Sequence, residues 1–280
     1  MTARSSLSRR GTLAGAAAMA AGAAGLTAAS PTAAAEETGS GPGAHGAART
    51  VVLVHGAFAD ASSWTPVAER LQRYGHEVIA VANPLRGLAH DAAHLGARLA
   101  AVPGPVVLAG HSYGGAVITQ AAAAPNVKAL VYIAAFIPDA GEVLGELAAR
   151  FPGSQLEPAL TAVPAPAPDG TAGLDLYIRP DRYHDVFAQD VPRSVTRVLA
   201  AGQRPLTATA FTDRCTAAAW HTLPSWTLIT TRDRGIAPEL QRFQARRAGS
   251  RTAEVATSHL PMHSRPDAVT SLIRAATRAL

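Results

Sequence analysis

The sequence predicts an α/β fold with a doubly wound, mostly parallel sheet, and two observations lead to this prediction. Apolar runs of strand length alternate with longer helical patterns from residue 50 to 136 and again from 225 to 280. The apolar runs, such as Val51 to Val54, lack a strict alternation of polar and apolar residues, as expected of parallel strands covered on both faces. Strand and helix in alternation then indicate a sheet with helices on both sides.

The elements follow each other in a regular order along the chain. Runs rich in Val, Ile and Leu predict strands over residues 51–54, 77–82, 106–109, 127–136, 225–231 and 252–256. The longer segments between them predict helices over residues 63–74, 88–101, 113–124, 238–248 and 266–280. No internal repeat is visible, so residues 50–280 are expected to form one domain.

The regular order breaks at Pro138, and residues 138–222 predict an insertion. This segment contains a proline-rich piece at 163–170, shorter helical patterns, and aromatic residues that include Tyr177, Tyr183, Phe187 and Trp220. Long excursions within a compact domain usually serve access or binding. We therefore expect these residues to form a helical cap that covers a binding site of the domain.

The first 35 residues predict an export signal of the twin-arginine type. Arg9 and Arg10 precede a stretch without charge from Gly11 to Ala29, and Ala33 to Ala35 would suit a peptidase that cleaves after small residues. Residues 36–49 are rich in glycine and small polar residues and are expected to be a flexible linker. The protein is therefore expected outside the cytoplasm, without stable membrane insertion once the signal is cleaved.

Charge and cysteine content exclude several classes of protein. The formal charge is +5, but the signal carries Arg4, Arg9 and Arg10 without any acid, so the mature part has a charge of +2. No basic run is interleaved with aromatics, and nucleic-acid binding is not expected. Cys215 is the only cysteine, which rules out an internal disulfide and a cysteine-based metal site, and an inert buried thiol is expected.

A nucleophile elbow is the strongest motif in the sequence. It has the pattern G-x-S-x-G, follows an apolar strand and precedes a helix, and consists of Gly110, His111, Ser112, Tyr113 and Gly114. A tight, strained turn must raise the serine hydroxyl above the sheet, and flanking glycines let the backbone pass without a clash. Ser112 is therefore the candidate nucleophile.

A serine nucleophile needs a base that is oriented by an acid, and the fold requires the chain order Ser, acid, His. Asp233 and His259 each follow a predicted strand, at the sheet edge expected to carry Ser112. Two alternatives stay open at this stage: Asp139 could be the acid, and His263 could be the base. His55 and His111 flank the site, and His55 is expected to brace its loop.

The negative charge that develops on the substrate oxygen needs backbone donors. One is expected to be the N–H of Tyr113, and the other that of Ala57, with Phe58 as the nearby alternative. Phe58, Phe136 and Trp220 are candidates for an apolar substrate pocket, although each could equally be part of the core. No metal is expected at the site.

Several motifs together resemble a known family. They are His-Gly-Ala-Phe at 55–58, Ser-Trp at 63–64, Gly-His-Ser-Tyr-Gly-Gly at 110–115, Thr-Arg-Asp at 231–233 and Ser-His-Leu-Pro-Met at 258–262. The sequence resembles the α/β-hydrolase superfamily, in particular small bacterial esterase-like proteins related to plant methyl-ester esterases and hydroxynitrile lyases. The resemblance runs from about residue 50 to 280 and implies the short form of the fold, which lacks the first two strands of larger hydrolases.

The resemblance implies a triad of Ser112, Asp233 and His259, an oxyanion donor at Ala57, no cofactor, and a cap. Lyases of this group carry Lys after the catalytic His and Thr in place of Gly56, whereas this chain has Leu260 and a single lysine elsewhere.

The function expected is therefore hydrolysis of a small carboxylic ester through an acyl-enzyme. A ligand-binding protein without turnover and a cofactor-free perhydrolase or lyase are the alternatives. The sequence leaves the substrate and the oligomeric state open.

Overall fold

The computed structural model describes residues 49–167 and 170–280. The predicted export signal and nearly all of the predicted linker lie outside these residues. Within the two described segments, no helix is both long enough and apolar enough to cross a bilayer.

Strands and helices alternate in the described residues much as the sequence predicts. The strands are β1 Thr50–Val54, β2 Glu77–Val81, β3 Val106–His111, β4 Val127–Ile133, β5 Leu160–Pro166, β6 Ala172–Ile178, β7 Leu206–Thr207, β8 Ser225–Thr230 and β9 Arg251–Val255. The helices are α1 Thr65–Arg73, α2 Leu88–Ala100, α3 Tyr113–Ala121, α4 Leu144–Ala149, α5 Pro180–Phe187, α6 Arg193–Ala201, α7 Pro238–Arg247, α8 Pro261–Ser264 and α9 Pro266–Arg278.

The central sheet has six strands in the order β2-β1-β3-β4-β8-β9, and every neighbouring pair is parallel. Strands β1, β3 and β8 are buried along their whole length, and β4 exposes one residue, whereas the edge strands β2 and β9 are largely exposed or half-buried. Because all six strands run the same way, the loops that follow them meet at one edge of the sheet. The fold predicted from the sequence is present.

The cap between β4 and β8 contains strands as well as helices. Helices α4, α5 and α6 are accompanied by an antiparallel sheet in the order β5-β6-β7. The prediction of a helical cap is therefore incomplete, because it did not include these strands. Pro164 and Pro166 lie within β5, and prolines argue against a strand unless it lies at a sheet edge, which is the position of β5.

Polar contacts tie the cap to the loops of the central sheet. The Asp213 carboxylate accepts a hydrogen bond of 2.8 Å from the backbone N–H of Leu88, the first residue of α2. The Arg86 guanidinium pairs with Asp175 of β6 at 2.8 Å. These contacts place one side of the cap against the loop that follows β2.

We predict opposite effects on stability for two glycine substitutions. A Cβ on Gly115, at the start of α3, would lie 2.5 Å from the Phe136 carbonyl oxygen. Gly115→Ala is therefore expected to lower the free energy of unfolding by about 1–3 kcal/mol. Gly96 lies within α2, and an added Cβ there would have no atom within 4 Å. Gly96→Ala should therefore raise the free energy of unfolding by about 0.5–1 kcal/mol. Urea unfolding measures both, and equal shifts would contradict the packing argument.

Candidate active site

Ser112 lies on the sharp turn between β3 and α3. Its backbone has φ 54° and ψ −125°, a conformation that non-glycine residues rarely adopt. The turn is held because the Ser112 N–H donates to the Ile133 carbonyl at 3.2 Å. Ser112 is 7% exposed, so the candidate nucleophile lies at the base of a covered site.

Glycines surround the turn because the backbones approach too closely for any side chain. A Cβ on Gly110 would lie 2.5 Å from the Gly114 carbonyl oxygen, and one on Gly114 would lie 2.6 Å from the Val54 carbonyl oxygen. A Cβ on Gly56, in the loop after β1, would lie 2.7 Å from the Cβ of Ser112. Packing therefore explains why the motif has glycines at these positions.

The structure joins His259 to Asp233. The Nδ1–H of His259 donates to Asp233 Oδ2 at 2.7 Å, and both side chains are fully buried. The alternative acid, Asp139, instead contacts His221 Nε2 at 2.9 Å near the base of the cap. Of the two acids considered from the sequence, the one that contacts the candidate base is Asp233.

Four further donors surround the carboxylate of Asp233. Its Oδ1 accepts from the backbone N–H groups of Gly235 and Ile236 at 2.7 and 2.9 Å. Its Oδ2 accepts from the Thr230 hydroxyl at 2.8 Å and from Gln241 Nε2 at 2.9 Å. A buried carboxylate is costly unless donors compensate its charge. These donors hold the carboxylate in place for His259, and the sequence analysis missed the roles of Thr230 and Gln241.

The ring of His259 is enclosed by three neighbours. The His111 and Phe187 rings each have their centroid 4.8 Å from its centroid, and a Cβ on Gly235 would lie 3.0 Å from its Cγ. Because Nδ1 carries the proton shared with Asp233, Nε2 has the lone pair. Within the described residues Nε2 has no hydrogen-bond partner, so the Ser112 hydroxyl is not hydrogen-bonded to it in this structure.

His111 holds the backbone of His259 rather than competing with it as a base. Its Nε2 is 2.8 Å from the carbonyl oxygen of His259, and a carbonyl can only accept, so the proton is on Nε2. Complete burial holds the pKa of His111 well below its ordinary value. His111 therefore stays neutral.

His55 braces the loop after β1, as its position in the sequence indicated. Its Nδ1–H donates to the Gly56 carbonyl at 2.8 Å, and its Nε2 accepts from the backbone N–H of Asn83 at 3.0 Å. The other candidate base, His263, lies on α8, where it lines a cavity of about 180 Å³ together with Tyr183 and Leu260.

The expected oxyanion donors differ in whether they are already engaged. The Phe58 N–H donates to the Arg204 carbonyl at 3.1 Å, so it is not available to a ligand. For the N–H groups of Ala57 and Tyr113, no acceptor is found within residues 49–167 and 170–280. The side chain of Tyr113 is anchored separately, because its hydroxyl donates to buried Asp91 at 2.8 Å. Among the three candidate N–H groups, only that of Phe58 therefore has an acceptor within the described residues.

The three candidate pocket residues have different surroundings. Phe58 packs edge-on against Phe187 at 6.2 Å between centroids, and Phe136 donates its N–H to the Ser112 carbonyl at 3.2 Å. Trp220 donates its Nε1–H to the Pro138 carbonyl at 2.9 Å and stacks on His221, at the base of the cap. Phe187, which the sequence analysis noted only as a cap aromatic, is the cap residue on the His259 ring.

A protein-family model matches most of the chain. Residues 51–272 match the model of the alpha/beta hydrolase family. The chain belongs to this family. Within the described part of this hydrolase, no group of three or more His, Cys, Asp or Glu side chains is arranged to hold a metal ion.

This hydrolase is also similar to individual proteins. A carbendazim hydrolyzing esterase from Nocardioides sp. (strain SG-4G) is 36% identical over 107 residues, a match that covers 33% of this chain and 44% of that protein. The hydrolase thus matches less than half the length of this curated relative.

Solved structures of similar fold cover more of the chain. Polyneuridine aldehyde esterase superposes with a TM-score of 0.72 at 19% identity, over 82% of this chain and 99% of that one. A methylesterase from Arabidopsis superposes with a TM-score of 0.69 at 18% identity, over 83% of this chain and 100% of that one. A pyrethroid hydrolase from Sphingobium faniae JZ-2 superposes with a TM-score of 0.67 at 19% identity, over 83% of this chain and 98% of that one. These similarities show a shared fold.

We predict that acid destabilises the protein through buried histidines. Burial lowers the pKa of His55 from 6.5 to about 4. Between these values the unfolded chain binds a proton that the folded chain does not, so the free energy of unfolding falls as the pH drops from 6.5 to 4. The contribution of His55 is about 3 kcal/mol.

Urea unfolding at several pH values between 7.5 and 4 tests this prediction. His55→Gln should lose less free energy over this range than the wild type, and His94→Gln, at an exposed position of α2, should behave as the wild type. Identical pH dependence in all three proteins would contradict the assignment to His55.

Proposed function

We propose that this hydrolase cleaves carboxylic esters of small molecules through a covalent acyl-enzyme. The observation that carries the proposal is the buried hydrogen bond of 2.7 Å between His259 and Asp233, at the sheet edge where the strained turn holds Ser112. A neutral imidazole whose Nδ1 proton is held by a carboxylate is the base that a serine nucleophile requires. Three similar proteins named above are called esterases, which supports the same reaction class.

The proposed reaction begins with attack of the Ser112 Oγ on the ester carbonyl carbon. His259 Nε2 takes the hydroxyl proton, and Asp233 stabilises the resulting imidazolium. The N–H groups of Ala57 and Tyr113 bind the oxyanion of the tetrahedral intermediate. Collapse of the intermediate breaks the bond to the alcohol, which leaves with the proton from His259. Water, deprotonated by His259, then attacks the acyl carbon. The bond from this carbon to Ser112 Oγ breaks, the acid is released, and His259 returns the proton to Oγ.

The surroundings of His259 favour ester hydrolysis over lyase chemistry. Leu260, which follows it, is 1% exposed and offers no charge to the site. The single lysine, Lys128, lies near the start of β4 and donates to the Pro125 carbonyl at 2.7 Å, so it is at the opposite end of a strand from the site. No ammonium group is therefore supplied to a leaving group.

Small substrates fit what is known of the similar proteins. One is named for hydrolysis of carbendazim and another for hydrolysis of pyrethroids. Ser112 itself is almost completely covered, and the aromatic side chains of Phe58 and Phe187 lie beside the site. We therefore propose a small ester with an apolar portion.

Covalent labelling with a fluorophosphonate tests the nucleophile. The wild type should be labelled at one site and should hydrolyse short p-nitrophenyl esters, and Ser112→Ala should lose both because the attacking oxygen is absent. Ser63→Ala removes a buried hydroxyl from the loop after β1 and is the control, expected to keep both activities. Labelling of Ser112→Ala at the wild-type rate would contradict the assignment, and an unlabelled wild type without turnover would favour a binding protein.

Two matched pairs test the base and the acid. Asp233→Asn should lower kcat by about 10⁴-fold, because the amide favours the wrong tautomer of His259, whereas Asp139→Asn should have little effect. His259→Ala should lower kcat to a similar or greater extent, whereas His263→Ala should retain most of it. Steady-state kinetics on one ester measures all four variants. A larger loss in Asp139→Asn than in Asp233→Asn would show that the acid is misassigned.

A further inference from the structure

A short turn of the cap contacts both loops that carry the proposed base and acid. The turn consists of residues 188–191 and connects α5 to α6. The Asp190 carboxylate accepts a hydrogen bond of 2.9 Å from the backbone N–H of Ser258. Its neighbour Gln189 donates from Nε2 to the Arg232 carbonyl at 2.6 Å.

The two contacted residues immediately precede His259 and Asp233. Their loops are also joined to each other, because the Arg232 N–H donates to the Thr257 carbonyl at 3.1 Å. The loop of the acid, the loop of the base and the turn of the cap are therefore each hydrogen-bonded to the other two. A displacement of the turn would move both loops relative to each other and to Ser112.

The preceding helix α5 strengthens this connection. Phe187, its last residue, lies on the ring of His259 at 4.8 Å between centroids. Arg234, the residue that follows Asp233, donates a hydrogen bond of 2.9 Å from its guanidinium to the carbonyl oxygen of Asp185. The cap thus contacts the base from above and holds the acid loop on both sides of the carboxylate.

Asp190 differs from the residues that pack the core, because it is exposed while the residue it contacts is not. Ser258 is fully buried, and the carboxylate of Asp190 is the acceptor found for its N–H. A side chain in water contributes little packing, so its removal changes the core little. What its removal does change is the restraint on the backbone next to His259.

We propose that Asp190, together with Gln189, is a positioning residue that makes the alignment of His259 depend on the seating of the cap. The inference rests on the proposed function, since it concerns the same His259 and Asp233. Misplacement of a catalytic group by about 1 Å can lower the rate by about 100-fold. The carboxylate acts here through the backbone of Ser258 and does not touch the substrate.

Substitutions of Asp190 separate positioning from stability. Asp190→Ala removes the acceptor and should lower kcat about 10- to 100-fold with KM changed less than about 3-fold, and it should slow fluorophosphonate labelling to the same extent. Asp190→Asn keeps an acceptor oxygen and should restore most of the rate. Gln189→Ala removes the second anchor and should lower kcat in the same direction, which provides a test should Asp190→Ala fold poorly.

A spectroscopic readout tests the alignment without any substrate. The proton shared by His259 Nδ1 and Asp233 is expected to give a far-downfield resonance in the proton NMR spectrum, which should be absent in His259→Ala. In Asp190→Ala this resonance should broaden or shift upfield, and in Asp190→Asn it should be retained. The control is Asp181→Ala, which removes an exposed acid at the start of α5 and should leave the resonance and kcat unchanged.

The outcomes distinguish this inference from the proposed function. If the wild type is labelled and Asp190→Ala and Gln189→Ala keep the wild-type labelling rate and resonance, the positioning role is wrong while the esterase assignment stands. If the wild type turns over no ester and is not labelled, the esterase assignment fails, and the resonance in Asp190→Ala still decides whether the turn aligns His259. Equal losses in Asp190→Ala and Asp181→Ala would also overturn the inference.

Discussion

The hydrogen bond between His259 and Asp233 is buried on both sides, and much of the surrounding structure serves to stabilise it. A buried carboxylate without donors would be strongly destabilising. Four donors from the end of β8, the following loop and α7 therefore surround Asp233 in addition to His259. On the other side, the backbone of His259 is held by neutral His111, which belongs to the nucleophile elbow. The three loops at this edge are thus mechanically connected.

Sequence patterns predicted the central sheet and the candidate residues at its edge for a physical reason. Strands buried on both faces must be continuously apolar, and the elbow requires glycines where backbones touch. Both features can therefore be recognised from the residue types in a short stretch of sequence. Gln241 could not be found in this way, because one glutamine on an amphipathic helix has no distinguishing pattern. The choice between Asp233 and Asp139 likewise depended on which side chain reaches His259, which only the tertiary structure shows.

The cap shows where local patterns fail. Its proline-rich piece contained no strand signal, yet residues 163–166 of this piece belong to β5, where an edge strand is paired on one side only. The contacts of Gln189 and Asp190 are equally hard to predict, since they join side chains in a turn to backbone groups more than 40 residues away. Long-range contacts of this kind link the cap to the loops that carry Asp233 and His259.

The prolines of β5 also affect how copies of the protein can meet. The outer edge of a sheet offers unpaired N–H and C=O groups to which a strand from another molecule can add. Pro164 and Pro166 have no N–H, so this edge lacks two of the donors that an incoming strand would need. An exposed hairpin carrying Val163 and Leu174 at its surface is thereby protected against intermolecular β-sheet formation.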